Sequence, residues 1–143
     1  MNNLKHLHER DFNLWIEKTK EAIQNRDFEN MDWDNLLDEI DDMGKSEKRS
    51  LDSYMQRLIE HILKLKYWDS EVAKCRKRWQ QEVVNFRNRI NRILKKNPSL
   101  NNYLKSEYFD IYQDAIATMV FDFEIPEDGF VEVEQIMKDN YFG

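Results

Sequence analysis

Carboxylates dominate the reactive side chains: 28 Asp and Glu stand beside three histidines and one cysteine. Glu39 with Asp42, and Glu107 with Asp110, have the i, i+3 spacing that puts two carboxylates on one helix face. Helical proteins that hydrolyse nucleotides hold magnesium with such pairs, so these four residues would serve a metal-dependent nucleotide hydrolase. The pattern is weak, because at this acid content about five such pairs arise by chance. A di-iron site needs Glu-x-x-His on two helices, and none of His6, His8 or His61 has an acid three residues before it. Asp32, Asp34 and Asp38 resemble part of a calcium loop without its turn glycine. No glycine-rich phosphate loop is present, and no Ser or Cys nucleophile has a base nearby in sequence. Cys75 lies between Lys74 and Arg76 but on an apolar stripe, which reads as an inert core thiol. A lone cysteine also excludes an internal disulfide and a cysteine-built zinc site. We therefore expect no cofactor and no catalytic residues, and lean against an enzyme.

His61 belongs to the helix that the rest of the chain is expected to pack on. In SEKRSLDSYMQRLIEHILKLKYW, residues Leu51, Tyr54, Met55, Leu58, Ile62 and Leu65 recur at steps of three and four and make one apolar stripe. His61 falls about 80° from its centre and should be partly buried. A partly buried imidazole needs partners for its nitrogens, and we expect Asp38 or Glu39 of the preceding acidic helix to meet it as a polar contact in the core.

Charge is zoned along the chain. Residues 27–44 hold eight acids and no Lys or Arg, residues 74–96 hold nine Lys or Arg and one acid, Glu82, and residues 107–139 hold ten acids and one lysine. On the basic helix Lys74, Arg78, Arg89, Arg92 and Lys96 gather in one sector with Asn85 and Asn88 between them. The favoured reading is that this face discharges against the acidic segments of the same chain. The alternative is that it binds nucleic acid through the phosphate backbone or meets an acidic partner. No aromatic residue falls on it, which removes the stacking platform of a single-strand binder.

The elements that must position these groups read as helices throughout. Three glycines and two prolines in 143 residues are too few for the turns of a sheet-rich fold. Asp11 caps a first helix with Phe12, Trp15, Ile16, Thr19, Ala22 and Ile23 inward, ending near Arg26. Asp32 caps a second, stapled by Met31 and Leu36, with Trp33, Leu36, Leu37, Ile40 and Met43 on its buried face. Gly44 is expected to close it, so that it forms a corner or hairpin with the central helix starting at Ser46. Asp41 and Asp42 would then sit in a last turn, where the helix dipole disfavours them, and Lys45, Lys48 and Arg49 would compensate. A long helix follows Trp68, with Val72, Cys75, Trp79, Val83, Phe86, Ile90 and Ile93 inward, and stops before Asn97 and Pro98. Ser99 caps the next, inward at Leu100, Leu104, Tyr108, Ile111, Ala115, Met119 and Phe123, until Pro126 and Gly129. A short last helix carries Val133, Ile136 and Met137. The expected fold is an all-α bundle of five or six helices, one domain spanning 1–143 with its core at about 11–138. No apolar run approaches membrane-spanning length and the start has no apolar leader, so a cytoplasmic protein is expected.

DFNLW near the start, DNLLDEIDDMGKSEKRSL, HILKLKYW, Trp79, Arg87 through Ile90, the NPSL break, and Tyr112 with Ala115 together resemble the bacterial family called "domain of unknown function 29". The likeness runs from about Asp11 to the C-terminus. It departs within WQQEVVNF, where Glu82 and Phe86 stand in place of Thr and Gln. The resemblance implies a compact all-helical domain and no established activity, cofactor or partner. The function expected is a non-enzymatic protein-interaction or regulatory module, binding a protein partner or itself and no membrane, with nucleic-acid binding as the second reading and hydrolysis as the third.

Overall fold

The computed structural model describes residues 3–143. Among them there is no strand and there are six α-helices: α1 (Asn3–Arg10), α2 (Phe12–Gln24), α3 (Trp33–Tyr67), α4 (Asp69–Lys96), α5 (Leu100–Met119) and α6 (Val133–Ile136). The all-α expectation holds. The chain divides into two compact units at Ser46 and Glu47, and each is described by itself.

The first unit holds α1, α2, a 3-10 turn at Phe28–Asn30 and the opening turns of α3. Asp11 caps α2 as expected, its Oδ1 accepting from the Leu14 amide at 3.1 Å. Arg26 then takes a left-handed φ of 57° and ends that helix. Asp32 caps α3, with Oδ1 3.4 Å from the Asn35 amide and its own carbonyl accepting from Leu36. The sequence reading missed α1, whose inward residues are Leu4, Leu7 and His8.

Two expectations fail in this unit. Gly44 closes nothing: α3 runs unbroken from Trp33 to Tyr67, and the glycine has no left-handed φ. A glycine inside a helix costs only about 1 kcal/mol relative to alanine; its neighbours are good helix formers, and Lys45 bridges back to Asp41 at 2.9 Å, one turn away. Asp41 and Asp42 therefore lie in mid-helix, and the dipole conflict expected of a last turn does not arise. The second failure concerns burial. Of the face expected to be covered, Trp33, Leu37, Ile40 and Met43 are exposed, Met43 to 69 per cent, and on α2 Phe12, Ile16 and Ile23 are nearly half exposed.

The second unit is built on the remainder of α3, with α4, α5, α6 and the C-terminal segment around it. Leu51, Met55, Leu58 and Ile62 are almost wholly buried, as the stripe predicts, and Ile59 and Leu63 beside them equally so. They pack with Trp79, Val83, Phe86 and Ile90 of α4 and with Leu104, Tyr108, Ile111, Tyr112, Ala115 and Met119 of α5. Ser99 stands at the N-cap of α5 without a side-chain cap bond, and that helix stops at Met119, earlier than Phe123. The segment after α5 is held by phenols: Tyr108 donates to the Val131 carbonyl at 2.6 Å and Tyr112 to that of Gly129 at 3.1 Å. Burial pushes the Tyr108 phenol far up, and Tyr112 to about 12, so both remain donors at any ordinary pH.

Candidate functional site

Phe12, Trp15, Ile16, Thr19 and Ile23 of α2 face Leu36, Ile40 and Met43 of α3 across an open groove of about 530 Å³. The residues spaced for a buried core thus line a surface. From Phe12 to Ile23 the groove follows about three turns, roughly 16 Å of helix. Its floor is rigid where α2 meets α3: Trp15, 2 per cent exposed, donates through Nε1 to Asp32 Oδ2 at 3.1 Å, and Asn35 Nδ2 reaches the same oxygen at 2.6 Å. Burial pushes the Asp32 carboxyl up, but the hydrogen bonds from the Asn35 side chain, Trp15 and the Asn35 amide, with the nearby His8, outweigh it and hold the group below its ordinary value. Phe12 stacks on Trp15 with ring centres 5.7 Å apart, and His8 meets Trp15 edge-on at 4.9 Å. Thr19 Oγ1 is sealed from water with no hydrogen-bond partner.

Glu39, at the groove's edge, pairs with His8: Nε2 and Oε1 are 2.8 Å apart. The contact expected between Asp38 or Glu39 and His61 needed a hairpin at Gly44. No such hairpin forms, since α3 runs unbroken through Gly44, and the histidine opposite Glu39 is His8, on a helix the sequence reading did not find. Asp38 is exposed. His61 uses its Nδ1 on the Arg57 carbonyl at 2.7 Å, one turn back, with its ring 5.4 Å from that of Phe86. Burial, with Lys64 nearby, holds its imidazole below the ordinary value against the pull of that carbonyl and of Glu82 and Glu60. It opens on a polar recess of about 490 Å³ lined also by Ser53, Gln56, Arg57, Glu60, Arg78 and Glu82.

No three His, Cys, Asp or Glu side chains among the described residues gather as a metal-holding group. Cys75 is a free, partly buried thiol against the second unit's core.

On α4, Lys74, Arg78, Arg89, Arg92 and Lys96 are all exposed on one side. Among the described residues the ion pairs are His8–Glu39, Lys18–Glu21 and Lys45–Asp41, none of them on α4. The internal discharge favoured from sequence is not formed as ion pairs. One α4 cation behaves otherwise and was missed. Arg87, 2 per cent exposed, donates to the carbonyls of Ile136, Asp139 and Tyr141, the shortest bond being 2.8 Å, and lies over the Phe142 ring. Its place was legible, since it stands four residues after Val83 and three before Ile90, on the apolar stripe.

A family model described as "Domain of unknown function DUF29" matches residues 7–142. No curated protein and no solved structure matches the chain.

Proposed function

The chain belongs to this DUF29 family, and from its own surfaces we propose that it is a protein-interaction module whose α2–α3 groove receives an amphipathic helix with a basic outer face. The observation that carries this reading is the groove itself. Seven apolar or aromatic residues with helical spacing line it along three turns, with Phe12, Ile16, Ile23, Ile40 and Met43 exposed, the length over which a bound helix sets its anchors at i, i+4 and i+7. Contiguous exposed apolar surface of this kind marks a docking site in a water-exposed protein.

Charge selects the partner. Residues 1–46 hold twelve Asp or Glu against six Lys or Arg, while residues 47–143 hold sixteen of each, so the whole formal net charge of −6 falls on the unit that carries the groove. An anionic surround speeds encounter with a cationic helix and disfavours an acidic one. A partner that is itself nucleic acid or an acidic peptide does not fit this groove.

The test uses a labelled 18-residue synthetic helix with leucines at i, i+4, i+7 and i+11 and lysines elsewhere, and a second peptide with glutamates in place of the lysines. At about 0.15 M salt, where exposed charges still act over roughly 8 Å, the lysine peptide should bind at least tenfold tighter than the glutamate peptide. An Ile40→Glu/Met43→Glu variant, whose two residues are exposed and whose fold should be unchanged by circular dichroism, should lose that binding. Equal binding of wild type and variant would sink the proposal.

A further inference from the structure

We infer that the exposed face of α4 is a second, independent binding surface, one that holds duplex nucleic acid by its phosphate backbone without reading sequence. Lys74, Arg78, Arg89, Arg92 and Lys96 share one side of the helix, and Lys77 and Lys95 border it, all of them exposed. On a helix wheel they fall within a sector of about 120°, along a rise of about 33 Å. That length is about one turn of B-form duplex, ten base pairs at 3.4 Å along each strand.

What makes this a surface rather than a solvated helix back is that its charge is not spent. Among the described residues none of these seven cations is within ion-pair distance of a carboxylate. Arg89 is held in place by neutral groups: its Nε is 3.4 Å from Asn85 Oδ1, its Nη1 3.4 Å from the Tyr54 hydroxyl, and its guanidinium lies over the Tyr54 ring. A fixed guanidinium without a counter-charge is ready to take a phosphate in bidentate fashion. Asn85 and Asn88, also exposed, interleave the cations with amide donors of the kind that bind phosphate oxygens. Glu82 is the one acid of the segment, at the sector's edge. The recess beside it sets Arg57 and Arg78 against Glu60 and Glu82, so it adds no net charge to the face.

α4 contributes no aromatic side chain to this face and the neighbouring Tyr54 ring lies under Arg89, which favours duplex over single strand, because single-strand binders stack bases on aromatic rings. Backbone contacts alone carry no base information. The chain's overall negative charge does not forbid the contact, since at about 0.1 M salt the Debye length is near 10 Å and local charge decides.

Fluorescence anisotropy of two labelled 20-base-pair DNA duplexes of unrelated sequence tests the inference on the full chain at about 50 and 200 mM salt. Five to seven phosphate contacts predict an affinity that falls by at least a hundredfold between the two salts, equally for both duplexes. An Arg89→Glu/Arg92→Glu variant should lose at least tenfold at 50 mM, and a Lys74→Glu/Arg78→Glu variant at the other end of the face should do the same, both with unchanged circular dichroism. The Ile40→Glu/Met43→Glu variant should bind duplex as wild type does, which separates this surface from the groove. No binding at 50 mM, binding that survives either charge reversal, or polyglutamate binding as tightly as duplex would overturn the inference; the last would mark an acidic protein as the partner instead.

Discussion

A hydroxyl sealed from water without a partner forfeits the hydrogen bonds it makes in the unfolded chain, at a cost of about 1–3 kcal/mol. Thr19 is in that position. Replacing it with valine keeps the shape and removes the unpaired oxygen, so Thr19→Val should raise stability by about 1 kcal/mol in denaturant unfolding; a loss of that size would mean the hydroxyl is paired in solution. Arg87 is the opposite case, a buried group whose donors are used on three tail carbonyls. Lysine keeps the charge but has no planar fork, and Arg87→Lys should destabilise by about 2–3 kcal/mol and speed amide exchange in residues 136–142. His61 sets a pH dependence. Its folded-state value lies below the ordinary one, so the unfolded chain takes the proton first, and stability present above about pH 6.5 should fall as the pH drops through the lower folded value. The unfolding midpoint should decline between pH 7 and pH 5, and His61→Gln should flatten that decline; an identical profile in the variant would remove His61 as its source. At this scale the sequence was partly legible. The caps at Asp11 and Asp32 and the part burial of His61 follow from local spacing, whereas the pairing of Glu39 with His8 depends on α1, whose eight residues with few apolar positions gave little periodicity to read.

Among the elements, α3 differs most from its expectation. Gly44 followed by a serine and a fresh apolar stripe has the appearance of a stop and a start, but a helix passes through glycine when nothing else demands a turn. Beyond its chain neighbours and the backbone of its own helical turns, nothing lies within 4 Å of where a Cβ would stand on Gly44. Gly44→Ala should therefore stabilise the protein by about 1 kcal/mol, whereas a left-handed closing glycine would make the same change destabilising. The apolar faces of α2 and early α3 were legible as faces, because residue spacing fixes which side chains align. What covers them was not, because the stripe of a groove that receives another molecule has the same period as the stripe of a core helix. The stripes of α4 and α5, by contrast, have many partners inside the chain, and there spacing and burial agree.

For the molecule as a whole, the partition of charge follows the partition of structure. The boundary at Ser46 and Glu47 falls inside α3 with no proline or linker composition to mark it, yet the net charge lies wholly on one side of it. The sequence displayed the zones, and summing them against each other suggested mutual neutralisation; ion pairs need side chains within about 4 Å, a distance that charge counts do not contain. No helix among the described residues is long and apolar enough to cross a membrane. The acidic unit carries the apolar groove and the other unit carries the basic face of α4. Burial of the groove's apolar area on binding has a robust signature, a negative heat-capacity change. The most direct measurement is calorimetric titration of the wild-type chain with the lysine-bearing amphipathic peptide at several temperatures. Binding with a clearly negative heat-capacity change, absent in the Ile40→Glu/Met43→Glu variant, is the predicted result; no binding, or binding with a heat-capacity change near zero that persists in the variant, would contradict it.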